Sequence, residues 1–265
     1  MEIPTEKASL FYEVYGTGPR HLFLFHGAGQ DHTLFLPLTQ ALKQEYTCYA
    51  FDIFFHGQSH WLPIDQPITP SQWQKLIGIL CERHGIETFE VLGYSIGSRF
   101  ALTTLMMFEQ RVRRLILIAP DAITISPWYK LATGTAAARW LFKKIVQHPG
   151  IFFKLADVLT VILPAQQRRF RFALRQMDTA EKRERIYRSW TTFRKLAFSP
   201  RSIAAVLKAH NIGLTVIVGK SDVVIPPQTA NRLLRLVPNH TLHTLLAGHN
   251  RLIAEITENS TQYFG

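Results

Sequence analysis

The chain has 265 residues, 47% of them hydrophobic and 18% charged, with a formal net charge of +11. This composition excludes global disorder and allows a sizeable core, as one domain or a domain carrying a large insertion. Two cysteines, Cys48 and Cys81, are too few for a disulfide framework in a chain of this length. Both sit in apolar segments and read as reduced core residues.

The opening stretch MEIPTEKASLFYEVYG mixes acidic residues into its apolar ones, so no secretory leader is expected. Alternation over 9–15 (SLFYEVY) predicts a half-exposed antiparallel edge strand. A strand at 21–26 (HLFLFH), a helix over 33–44 and a strand at 47–52 (TCYAFD) follow. Then come a helix over 70–84, a strand at 89–94 (FEVLGY), a helix over 97–108 and a strand at 114–119 (RLILIA). Continuous apolar runs at the centres of these strands fit parallel strands covered by helices on both faces.

From 123 to 205 the rhythm breaks. No strand pattern occurs there, and helices are predicted over 128–147, 150–162, 165–176 and 179–197, with joints at Pro127, Pro149, Pro164 and Pro200. The run 151–163 (IFFKLADVLTVIL) is too short for a bilayer and carries Lys154 and Asp157, so no transmembrane segment is expected. A soluble, cytoplasmic protein is the expectation. The alternation resumes with strands at 214–219 (LTVIVG) and 241–246 (TLHTLL), each followed by a helix, over 227–236 and 250–258. The pattern as a whole predicts a mostly parallel α/β sheet with an all-helical insertion after strand 114–119.

The charge is local. Residues 123–205 hold 16 Lys and Arg against 4 Asp and Glu, an excess of +12, while the rest of the chain is close to neutral. These basic residues, among them Arg168, Arg169, Arg171, Arg175, Lys182, Arg183, Arg185 and Arg188, match no nucleic-acid module, so no nucleic-acid partner is expected. A solvated face, an anionic or amphiphilic substrate, and weak association with an anionic membrane surface all remain open. Interleaved aromatics (Trp128, Trp140, Phe142, Phe152, Phe153, Phe170, Phe172, Trp190 and Phe193) are expected to build the insertion's own core and a pocket roof.

In an open α/β sheet the chemistry belongs on loops beyond the carboxyl ends of the strands. Ser95 follows strand 89–94 within Gly93-Tyr94-Ser95-Ile96-Gly97, where small residues allow a sharp turn that lifts the hydroxyl clear of the sheet. That motif recurs by chance. Serine also needs a base, and a histidine base needs a carboxylate to orient it. Asp222 follows strand 214–219 in GKSDVVIPP, and His249 follows strand 241–246 in LAGHN. Ser95, Asp222 and His249, each at a strand end, supply the residue types that a nucleophile, acid and base require. Asp121, beyond strand 114–119, competes for the acid role. His26, Asp52, His56 and Ser59 read as residues that fix loops. No H-x-H, H-E-x-x-H or C-x-x-C spacing suggests a metal.

The pieces FHGAG (25–29), FDIFFHGQS (51–59), LGYSIGS (92–98), VGKSDVVIP (218–226) and AGH (247–249) together resemble the α/β-hydrolase superfamily over the full chain. The resemblance implies the α/β-hydrolase fold, with core 1–122 and 206–265 and a helical cap at 123–205. It further implies Ser95 as nucleophile, His249 as base, Asp222 as acid, and the backbone N–H groups of Ala28 and Ile96 as oxyanion hole. Phe55 stands where the family usually has a glycine, and the sequence after His249 departs from the usual spacing. The expected activity is that of a cofactor-free, carboxylesterase-like serine hydrolase acting on a small or medium, partly apolar ester. A serine at position 95 speaks against the dehalogenase and epoxide hydrolase chemistries, which use an aspartate there.

The elbow with Arg99 four residues on also resembles that of the menaquinone-pathway SHCHC synthases, whose arginine holds a substrate carboxylate. That likeness makes Arg99 a substrate-binding candidate, and C–C hydrolysis or lyase chemistry on a carboxylated substrate the alternative. A non-catalytic hydrolase-like binding protein is a third reading, one that leads us to expect a damaged triad.

Overall fold

Apolar residues at both faces of successive strands force a sheet that is covered on both sides. The computed structural model describes residues 1–63, 65–150 and 177–264. Its strands are β1 (Glu2–Pro4), β2 (Ala8–Tyr15), β3 (Arg20–Phe25), β4 (Tyr46–Phe51), β5 (His60–Trp61), β6 (Phe89–Tyr94), β7 (Val112–Ile118), β8 (Gly213–Gly219) and β9 (His240–Leu245). Their order across one sheet is β1-β2-β4-β3-β6-β7-β8-β9, with β5 paired to β2. From β4 to β9 all neighbours run parallel, while β2 is antiparallel to β1, β4 and β5. The parallel run puts the carboxyl ends of β3, β6, β7, β8 and β9 on one edge of the sheet.

The seven strands expected from sequence are all present, but β2 is no edge. Two short strands, β1 and β5, flank it. Buried rings fill the layer beneath β3, β4 and β6, where Phe23 stacks on Phe89 at 4.2 Å and Phe25 on Phe51 at 5.0 Å. Each such fully buried side chain contributes on the order of 1.5–3 kcal/mol relative to exposure. The helices are α1 (Leu36–Leu42), α2 (Pro70–Arg83), α3 (Ser98–Met107), α4 (Pro127–Thr133), α5 (Ala136–Gln147), α6 (Ala180–Thr192), α7 (Pro200–Ala209), α8 (Asn231–Leu234), α9 (Leu252–Glu258) and α10 (Ser260–Phe264). Helix α2 starts where Thr69 accepts from Gln72 N and Gln72 accepts from Thr69 N, with Pro70 at the first position.

The chain forms two compact units. One comprises 1–64, 68–124 and 195–265, and the other 65–67 and 125–194. The expected boundary at 205 therefore moves back to 194, because α7 buries Ile203, Ala204 and Leu207 within the sheet-bearing unit. The second unit holds α4, α5 and α6. The single helix expected over 128–147 is two, since Gly134 ends α4 and the Thr135 side chain caps α5 by accepting from Ala138 N. Phe142, Val146 and Tyr187 form its core, with Trp190 packed against them. Trp128 and Trp140, expected in that core, are exposed (72% and 62%). On the exposed surface Lys182 of α6 pairs with Asp178 just before the helix, and Arg188 pairs with Glu184 one turn back. The helices expected over 150–162 and 165–176, with the arginines and phenylalanines named there, fall outside the described residues apart from Gly150, as does the former's role in the charge of this unit. Among the described residues no helix is long and apolar enough to cross a membrane.

Candidate active site

Ser95 sits on the sharp turn between β6 and α3, at a φ of 53°, in the left-handed region that L residues avoid. The two flanking glycines are there for space. A Cβ on Gly93 falls 2.7 Å from Ser98 Cα and Ala101 Cβ, and one on Gly97 falls 2.2 Å from the Phe25 carbonyl oxygen. The turn is therefore pressed against the end of β3 on one side and the first turns of α3 on the other. Ser98 Oγ donates to the Ser95 carbonyl at 2.6 Å and accepts from Ala122 N at 3.2 Å, tying the turn to the loop after β7.

Asp222 lies three residues past β8 and is 4% exposed. One of its oxygens, Oδ1, accepts from Val224 N at 2.8 Å and Ile225 N at 2.9 Å; the other, Oδ2, is 2.7 Å from His249 Nδ1. His249 opens the segment after β9, and its Nε2 is 3.1 Å from Ser95 Oγ. A carboxylate only accepts hydrogen bonds, so Nδ1 carries the imidazole proton and Nε2 accepts from the serine hydroxyl. Residues 95, 222 and 249, far apart in sequence, thus form one hydrogen-bonded chain.

The competing acid is engaged elsewhere. Asp121 Oδ2 accepts from Arg99 Nε at 3.0 Å and Nη2 at 2.8 Å. Arg99, the substrate-binding candidate, is only 1% exposed and pairs with Asp121. The backbone of Asp121 donates to the Ser95 carbonyl at 3.4 Å, so this ion pair stands directly behind the turn.

The loop 26–29 meets the turn from the other side, bringing Ala28 and Ile96 onto adjoining segments. Ile96 lies at the start of a helical segment, where the first N–H groups have no acceptor within the helix. His26 is fully buried; its Nδ1 donates to the Gly27 carbonyl at 2.7 Å and its Nε2 accepts from Ile53 N at 3.0 Å. It orders loops, as expected, and does not touch Ser95. Asp52 does the same work next door, accepting from His32 N, His32 Nδ1 and Gln58 N at 2.7 to 2.8 Å. Phe55, at the family's glycine position, has a φ of 69°, which explains why glycine suits that position.

Burial lowers the His26 pKa from 6.5 to about 4. Between those values the unfolded chain binds a proton that the folded chain refuses, so stability is full above pH 6.5 and falls as the pH drops toward 4. The shift corresponds to about 3 kcal/mol. A His26→Gln variant is expected to show a flatter dependence of Tm on pH over this range, read by circular dichroism; an unchanged slope rejects the assignment.

Sequence reasoning passed over Tyr94. Its hydroxyl donates to the His249 carbonyl at 2.8 Å, and its ring lies 5.2 Å from the imidazole at 30°. The signal was inside the motif, at the position between the first glycine and the serine, but nothing local reveals a partner so distant along the chain.

The sequence profile described as alpha/beta hydrolase fold matches residues 20–255, and the chain belongs to that family. Among solved structures it is similar to a thermophilic esterase from Thermogutta terrifontis, 22% identical, with a TM-score of 0.69 and coverage of 99% of this chain and 97% of that one. It is equally similar in fold to the enol-lactonase from Burkholderia xenovorans, 19% identical, TM-score 0.69, covering 99% and 98% of the two chains. At these identities the likeness speaks for the fold alone. An uncharacterized protein of Mycobacterium tuberculosis is 30% identical over 115 residues, 43% of this chain, and the match spans 32% of that relative's length.

Proposed function

We propose that this chain is a carboxylesterase-like serine hydrolase that cleaves a small or medium, partly apolar ester through an acyl-enzyme. One observation carries the reading: Ser95, held at a left-handed φ on the turn after β6, is bonded to His249, which is bonded to Asp222. His249 Nε2 takes the hydroxyl proton as Ser95 Oγ attacks the ester carbonyl, and Asp222 stabilises the imidazolium that forms. The backbone N–H groups of Ile96 and Ala28 hold the developing oxyanion. The imidazolium returns its proton to the leaving alkoxide, which departs as alcohol. Water then repeats the sequence on the acyl-enzyme, releasing acid and restoring Ser95.

Family membership and hydrolase neighbours support an enzyme. The C–C cleavage and lyase reading called for Arg99 facing an acidic substrate, and a guanidinium that gives two N–H groups to Asp121 lends it no support. A binding protein calls for a broken relay, and the hydrogen-bonded chain 222–249–95 is complete.

The test is a fluorophosphonate probe together with p-nitrophenyl esters of graded chain length. The wild-type protein is expected to take one label, mapped to Ser95 by mass spectrometry. Ser95→Ala is expected to take none and to lose on the order of 10⁵-fold or more in kcat. A wild-type protein that stays unlabelled beside a reactive serine hydrolase control rejects the reading.

A further inference from the structure

We propose that Tyr94 is a positioning residue for the hydrolysis: a single buried ring and its hydroxyl fix the base, the base's main chain and the loop carrying Ala28 relative to Ser95. The inference rests on the serine hydrolase reading above and goes beyond it in assigning a fourth side chain to the machinery.

Tyr94 is the last residue of β6, so its backbone leads directly into the Ser95 turn, and it is 2% exposed. A buried tyrosine hydroxyl needs a partner, and this one donates to the carbonyl of His249 at 2.8 Å. The bond anchors the backbone from which the imidazole projects. Burial, reinforced by the charge of Asp222, raises the Tyr94 pKa, so the hydroxyl keeps the proton it donates. The ring lies 5.2 Å from the imidazole centroid at a tilt of 30°, an offset arrangement that limits rotation of the imidazole about its side-chain bonds.

The same ring also abuts the loop after β3. A Cβ built on Gly27 falls 3.0 Å from Tyr94 Cε1 and 3.1 Å from Cδ1, so the loop approaches the ring as closely as a glycine allows. Asp222 orients His249 through Nδ1 alone, which leaves the tilt of the ring and the height of its loop to be set by something else. Tyr94 contacts both. Nothing in this geometry requires Tyr94 to touch substrate, so its effect should fall on turnover and leave substrate binding alone.

The test compares wild type, Tyr94→Phe and Tyr46→Phe in ester hydrolysis, rate of fluorophosphonate labelling and Tm. Tyr46 is a control, another fully buried tyrosine whose hydroxyl bonds Glu90 and the Phe264 carbonyl. Tyr94→Phe keeps the ring and loses the anchor. We expect kcat and the labelling rate to fall on the order of 10-fold with KM within twofold, as a small misplacement of a reacting group produces. Tyr46→Phe is expected to lower Tm and leave both rates at wild-type values. A Tyr94→Phe protein that labels and turns over like a labelled, active wild type overturns the role of Tyr94 and leaves the hydrolase reading standing. A wild type that neither labels nor turns over overturns both. Equal losses in Tyr94→Phe and Tyr46→Phe also reject the proposal, because they mark a general effect of stability.

Discussion

Asp222→Asn is expected to lower kcat on the order of 10³–10⁴-fold with little change in KM, while Asp121→Asn keeps kcat within a few-fold. The asymmetry follows from the hydrogen bonds. Asp222 Oδ1 accepts two backbone N–H groups, from Val224 and Ile225, and Oδ2 accepts from His249 Nδ1. An asparagine has one accepting oxygen, and two fixed backbone donors demand it. Its NH2 is then turned toward Nδ1, which must accept instead of donate. The imidazole proton moves to Nε2, the atom that should receive the proton of Ser95. The site keeps its shape and loses its base.

Asp121→Asn acts differently. It weakens the pairing of a guanidinium that is 1% exposed, so its cost appears as stability. Because the Asp121 side chain is itself 26% exposed, the loss should be about 1–3 kcal/mol, below that of a fully buried pair. Steady-state kinetics and thermal melts on the two variants separate the acids. Loss of turnover in Asp121→Asn with turnover retained in Asp222→Asn reverses the assignment.

The parts of the fold that were legible in the sequence are those whose signal is long and periodic. The runs that became β6, β7 and β8 are apolar on both faces because helices cover both faces. Strands β1 and β5 span three and two residues, too short for any alternation to show, and their pairing with β2 removed that strand from the edge. Helix α7 opens with Ser199 as a cap and Pro200 at its first position, a start signal that reads equally as a joint between helices. The break between α4 and α5 was present as Gly134-Thr135 and was outweighed by continuous helical periodicity on either side.

At the site, Ser95, Asp222 and His249 were legible because strand ends bring them to one edge of the sheet whatever the details of packing. Arg99 was read by analogy as a ligand for a substrate carboxylate. Its pairing with Asp121 depends on the loop after β7 returning that residue to it, a contact that no local pattern encodes. The same holds for the Tyr94 hydroxyl, whose acceptor lies 155 residues further along. Residues whose roles depend on a strand end can be read from the chain. Those that depend on a side chain meeting a distant carbonyl need the fold.

Gly97→Ala carries the largest expected cost in stability. Gly97 has φ −59° and ψ −21°, an ordinary helical conformation, so alanine there brings no backbone strain and in an open helix would help. Space decides the sign instead. The added Cβ falls 2.2 Å from the Phe25 carbonyl oxygen, 2.6 Å from its carbon and 2.5 Å from the His26 carbonyl oxygen. These are main-chain atoms at the end of β3, which is hydrogen-bonded between β4 and β6 and cannot yield as a side-chain tip can. Relief requires the turn and the 26–29 loop to part by about 1 Å, an overpacking that costs about 3 kcal/mol or more and lowers Tm by roughly 10 °C. The same parting separates Ser95 from the loop carrying Ala28, so kcat should fall about 10²-fold. Gly78→Ala, in the middle of α2, is the counterpart: a Cβ there meets nothing within 4 Å. With propensity alone acting, it should gain about 0.5–1 kcal/mol and leave kcat unchanged. Opposite signs for the same chemical change at Gly97 and Gly78 tie the second glycine of the motif to close approach; a Gly97→Ala protein as stable and active as wild type removes that explanation.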